Sequence, residues 1–152
     1  MRCWFCSILL AFSACTSSVS STDAGSYVGC SGDKRVNVSS FPATIGSDSS
    51  SVQLKFTAAD PAIPLSGENT WTVEVIDGSG NSLSATSISA TAFMPDHGHP
   101  SPTTPQFTKL SDGSWRAEGI NLFMAGVWRL TFTVKLTGKA DSTAVAFVCV
   151  QG

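Results

Sequence analysis

Arg129-Leu130-Thr131-Phe132-Thr133-Val134-Lys135-Leu136 alternates strictly between polar and apolar side chains. A period of two places one set of side chains in a core and the other in water, the signature of a half-buried strand. The same alternation recurs along the chain. Val52, Leu54 and Phe56 interleave with Gln53, Lys55 and Thr57, and Trp71, Val73 and Val75 interleave with Thr72 and Glu74. The second of these runs ends at Asp77-Gly78-Ser79-Gly80, whose glycines tolerate the positive φ of a tight turn. Residues 83 to 93 read as another strand with Ile88, Ala90 and Ala92 on one side. Ser111-Asp112-Gly113 is a further turn, leading into Trp115-Arg116-Ala117-Glu118. After Gly138 to Ser142, the apolar run Ala144 to Val150 has the composition of a central strand. No segment sustains a helical period and no internal repeat is visible. About seven or eight strands at this spacing predict an all-β fold, an immunoglobulin-like β-sandwich with Trp71, Trp115 and Trp128 as core or sheet-edge aromatics. A closed barrel is the runner-up, because the pattern does not fix strand order.

The N-terminus has a different chemistry. Arg2 precedes an apolar run from Trp4 to Phe12, interrupted by Cys6 and Ser7, and then Ser13-Ala14-Cys15. A basic start, an apolar stretch too short to span a bilayer and a small-residue site read as an export signal over residues 1–14. Phe12-Ser13-Ala14-Cys15 resembles a bacterial lipobox, with phenylalanine where leucine is usual. The resemblance implies cleavage before Cys15 and its lipidation; the alternative is an ordinary secretory signal with Cys15 incidental. Residues 15–26 have the small polar composition of a flexible tether, which leaves 27–152 as one domain.

The chain has five cysteines. Cys3 and Cys6 leave with the signal and Cys15 takes the lipid, so Cys30 and Cys149 remain. In an oxidising envelope a disulfide between them ties the first folded segment to the last, stabilising by ~3 to 4 kcal/mol. The rival is thiolate ligation of a metal, which needs reduced thiols close to the histidines.

Net charge is −2 with no basic patch, so the footprint of a nucleic-acid binder is missing. No second apolar stretch reaches spanning length, which leaves the lipid as the membrane attachment. Hydrolytic catalysis finds little support. There is no Gly-x-Ser-x-Gly elbow, and His97 and His99 have no evident nucleophile partner. Asp96, His97 and His99 are too close in sequence to converge readily as a three-ligand zinc site. The chain therefore reads as a non-enzyme.

Met94-Pro95-Asp96-His97-Gly98-His99-Pro100 holds both histidines and one of the two methionines beyond the initiator; the other is Met124. Thioether sulfur and neutral imidazole are ligand types that suit copper. Two readings stand at this point. Either these four side chains bind copper, or Met94 and Met124 fill core and the histidines are solvated turn residues. Asp96, after Pro95, reads as turn or capping chemistry rather than a ligand. Pro100, Pro102 and Pro105 discourage ladder pairing, so the loop is expected to sit exposed at an end of the sandwich.

Met94-Pro95-Asp96-His97-Gly98-His99, then Asp112-Gly113-Ser114-Trp115-Arg116, then Met124-Ala125-Gly126-Val127-Trp128-Arg129-Leu130 together resemble the YtkA-like domain, related to FixH-type proteins. The resemblance covers about residues 50 to 136, and Ala125 stands where that pattern often has proline. It implies an exported or membrane-anchored β-sandwich in copper-handling or cytochrome-oxidase assembly contexts. Two functions follow as expectations. One is an envelope lipoprotein that stores copper or delivers it to an accepting or assembly protein through Met94, His97, His99 and Met124. The other is a metal-free interaction module supporting an envelope assembly. Thr16 rather than aspartate after the lipidated cysteine implies, in a Gram-negative cell, the outer membrane facing the periplasm. The copper reading requires the loop after the 83–93 strand and the turn before the 127–136 strand to meet at one end.

Overall fold

Alternation in the sequence becomes burial in the computed structural model, which describes residues 29–151. The readings on the preceding residues, the signal, the tether and the Cys15 lipidation site, lie outside the described residues. A 3-10 turn at Cys30–Gly32 precedes nine strands: β1 (Ala43–Gly46), β2 (Gln53–Asp60), β3 (Gly67–Ile76), β4 (Ala85–Met94), β5 (His99–Pro100), β6 (Gln106–Lys109), β7 (Trp115–Leu122), β8 (Gly126–Leu136) and β9 (Ser142–Val150). The named strands form two antiparallel sheets, ordered β1-β2-β3-β7-β6 and β5-β4-β8-β9. This is the all-β sandwich expected. The closed barrel is not formed, because the strands divide into two sheets. The strand count exceeds the expectation because β1, β5 and β6 span only two to four residues, too few to leave a period in the sequence.

The inward set of each long strand makes one core. Leu54 and Phe56 on β2, Trp71 and Val73 on β3, and Leu130, Phe132 and Val134 on β8 are fully buried. Phe56 joins the sheets, its ring 5.6 Å from Trp71 and 5.4 Å from Phe132. Trp115 and Trp128 are buried as well.

Two local expectations are corrected. The run Ala144 to Val150 is an edge strand rather than a central one, alternating buried and half-buried residues along β9. Its free edge is covered instead by the N-terminal segment. The amides of Asn37 and Val38 donate to the Phe147 carbonyl, while the Asn37 side chain accepts from the Phe147 amide and donates to the Val145 carbonyl. Covering an edge in this way satisfies backbone groups that otherwise recruit another strand. Pro100 does join a ladder, opposite Phe93 in the two-residue β5, at the edge of its sheet where a missing N–H is tolerated.

Cys30 and Cys149 form a disulfide with their Cα atoms 5.3 Å apart, locking the N-terminal segment to β9. Closing a loop of this length restricts the unfolded chain strongly. Replacing both cysteines by serine is expected to lower unfolding free energy by about 2 to 5 kcal/mol. Urea melts of the variant should coincide with those of reduced wild-type protein; equal stability of oxidised and reduced wild type would show that the bond carries no such load.

Candidate metal centre

β4 positions the site by simple counting. Ile88, Ala90 and Ala92 point into the core, and the same period carries Met94 inward, where it is 1% exposed. The strand then turns: the Met94 carbonyl accepts from the amides of His97 and Gly98, at 3.3 and 2.9 Å. Gly98 makes the turn at φ +71°, a region that L side chains rarely enter. The chain returns as β5 with His99 directly opposite Met94.

The second segment arrives through β8, the antiparallel neighbour of β4, with Phe93 opposite Arg129. The loop 123–125 before β8 therefore lies at the same end as the hairpin after β4, as the copper reading requires. The Trp128 indole N–H donates to the Met124 carbonyl at 2.8 Å, fixing the loop to the strand. Met124 itself is half-buried against the core.

His99 is the packed histidine. Its ring stacks on Phe123 at 5.3 Å and 26° and meets the edge of Trp128 at 5.9 Å. Its Nδ1 lies 3.3 Å from the Pro100 carbonyl. A proton on Nδ1 donates there and leaves the Nε2 lone pair free for a ligand. His97 is exposed, with its ring 5.9 Å from that of His99. With metal–nitrogen bonds of roughly 2 Å and about 1 Å from each nitrogen to its ring centre, two imidazoles on one ion have centres at most ~6 Å apart. The observed 5.9 Å lies at that limit, which is reached only with the two nitrogens on opposite sides of the ion, so a four-ligand set requires the exposed His97 ring to move closer to His99. Met94 and His97 also line one shallow groove, with Asp96 and Ala125–Val127. Among the described residues, no three His, Cys, Asp or Glu side chains cluster as a metal site. The cysteines are held in their disulfide.

Asp96 has a role that its neighbours in sequence do not reveal. Its two carboxylate oxygens accept from both terminal nitrogens of Arg35, at 2.7 and 2.8 Å, and Arg35 also binds Asp33. This bidentate fork joins the segment beside Cys30 to the histidine hairpin. Arg35 lies 61 residues from Asp96, so no local motif announces it. Phe123 was missed for a similar reason, since nothing in the sequence pairs it with His99.

Hydrogen bonding from Arg35 holds the Asp33 carboxyl down at about 2 and lowers Asp96 below the usual carboxylate range. Both groups are depressed, so the clamp's contribution to stability is present above the ordinary carboxylate pKa and lost as pH falls through the depressed values. With all three side chains a quarter or more exposed, solvent screens the pairs and their worth is modest. In a carboxyl-detected NMR titration, Arg35→Ala is expected to return Asp33 from about 2 to about 3.9. An unchanged midpoint would mean that Arg35 does not hold this carboxylate.

A family model described as YtkA-like matches residues 48–133. Two solved structures of FetP from uropathogenic Escherichia coli are similar at low identity. A copper-bound variant has 13% identity and a TM-score of 0.41, covering 66% of this chain and 91% of that one. The protein as isolated after recombinant expression in the periplasm has 15% identity and a TM-score of 0.42, covering 70% of this chain and 95% of that one. No curated protein matches the chain.

Proposed function

We propose that this chain, which belongs to the YtkA-like family, is a copper-binding lipoprotein of the bacterial envelope. It holds copper through Met94, His97, His99 and Met124, for storage or for delivery to an accepting or assembly protein. The observation that carries the reading is the meeting at one end of the sandwich of a histidine pair 5.9 Å apart with two methionine-bearing segments. In this reading the protein binds and does not catalyse, and its partners are the membrane, through a lipid on Cys15, and another protein rather than nucleic acid.

Copper supplies a soft cation that accepts thioether and imidazole together. The protein's own residues do the rest. The Pro100 carbonyl accepts from His99 in the Nδ1-protonated tautomer, Phe123 and Trp128 pack on its ring, and the Met94 carbonyl shapes the turn that carries His97. Because sulfur is soft, the set favours the cuprous ion over zinc. Protonated imidazole cannot ligate, so acidification that charges the histidines weakens binding.

Replacing His97 and His99 together by alanine is expected to lower cuprous affinity by about 100-fold or more, since even supporting residues are worth 10- to 100-fold at metal sites. Met124→Leu should weaken cuprous binding more than cupric while conserving volume. Anaerobic competition titrations measure both. A double-histidine variant that binds as tightly as wild type places the site elsewhere. Wild-type protein that binds no copper leaves the metal-free interaction module, a reading favoured by the deep burial of Met94 as a core side chain.

A further inference from the structure

The two ends of the sandwich differ in chemistry. One end is made of the loops 47–52, 77–84, 110–114 and 137–141, dominated by Ser, Gly, Asp, Asn and Thr. The other carries the loops 61–66, 95–98 and 123–125, together with the entering segment at Gly29 and the last described residues. Among the described residues the exposed large hydrophobic side chains are Ile63, Leu65 and Phe123, at 50%, 39% and 41% exposure, and all three lie at this second end. The register shows why: Gly67 pairs with Leu122, so the residues before β3 and after β7 emerge side by side.

Isolated exposed hydrophobics are common on protein surfaces and by themselves carry no message. Here the segment that carries Ile63 and Leu65 has its backbone fixed by hydrogen bonds. The buried Asn69 side chain accepts from the Leu65 amide and donates to the carbonyls of Leu65 and Gly67, at 3.2, 2.9 and 2.9 Å. Leu65 is also bridged to Gln151 beside the disulfide. These bonds fix the backbone of the loop at Leu65 and Gly67, in the conformation that leaves Leu65 and Ile63 exposed.

The chain enters at this same end. Cys30 is bonded to Cys149, and the Gly29 position faces the Gln151 side chain. We propose that this end of the sandwich rests on the lipid bilayer, with Ile63, Leu65 and Phe123 dipping into the headgroup boundary. The proposal rests on the lipoprotein reading, in which residues 15–28 join the lipid on Cys15 to Gly29. That is 14 residues, and they join the sandwich at this end. The long strands span about 35 Å, so the tether favours contact by the near end over the far one. The Asp33–Arg35–Asp96 cluster at this end is internally neutralised to a single excess negative charge. Apolar contact, rather than attraction to anionic headgroups, is then the driving term.

The test uses full-length protein processed by the producing cell, reconstituted in vesicles of phosphatidylethanolamine and phosphatidylglycerol. A nitroxide is placed on Ile63→Cys or, as the far-end control, on Ser79→Cys. The label at 63 is expected to collide with dissolved oxygen several-fold more, relative to a water-soluble nickel chelate, than the label at 79. Adding Leu65→Asp and Phe123→Asp should return it to the control value. Equal water exposure at both positions overturns the docking, as does dipolar broadening that shows label 63 facing a second copy. Intact mass of the same preparation reports the lipid separately. Lipidated protein with both labels in water overturns the docking and leaves the lipoprotein reading standing. Protein without lipid whose label 63 lies in the bilayer upholds the docking and overturns the anchor. Protein with neither overturns both.

Discussion

The pairing of β4 with β8 sets what the rest of the molecule can do. Their antiparallel register places Phe93 opposite Arg129, so the hairpin that follows β4 and the loop that precedes β8 emerge together. The Arg129 guanidinium lies 5.1 Å from the Phe93 ring centre, an added contact at that register. A slip by one residue would turn Met94 outward and Phe93 inward, because side chains alternate along a strand. It would also exchange the core-facing set Ile88, Ala90 and Ala92 for serines and threonines. Burial of one face therefore fixes the register, and the register assembles the candidate metal centre.

The long strands were legible because each buries only one face, which writes a period of two into the sequence. β9 was misread as central because Val145 and Phe147, on its outer face, are apolar although only half-buried. Its edge is covered by Asn37 and Val38, a contact more than a hundred residues away in sequence that no local pattern encodes. The site divides in the same way. The hairpin residues stand together in the sequence, and extending the count from Ile88 through Ala92 reaches Met94, so its burial was readable. Arg35 and Phe123 were not, since each meets its partner only after the sheets form.

Met94 serves the core and the groove together. A buried methionine truncated to alanine costs about 2 to 5 kcal/mol, so loss of copper after that change would not separate ligand from scaffold. His97 carries little packing, and Met124 is only half-buried. The division gives the site a rigid floor and a more accessible rim. Phe123 belongs to that rim, stacking on His99 while keeping part of its ring exposed at the end where the chain enters. The histidine environment and the apolar end are thus parts of one surface.

The central claim is that thioether and imidazole groups meet on one copper ion. X-ray absorption at the copper edge of anaerobically loaded, disulfide-intact protein tests it most directly. The account predicts nitrogen and sulfur scatterers together in the first shell, with the sulfur contribution reduced in Met124→Leu. A shell of nitrogen and oxygen alone, or a sulfur signal unchanged by that substitution and removed by blocking cysteine thiols, would contradict it.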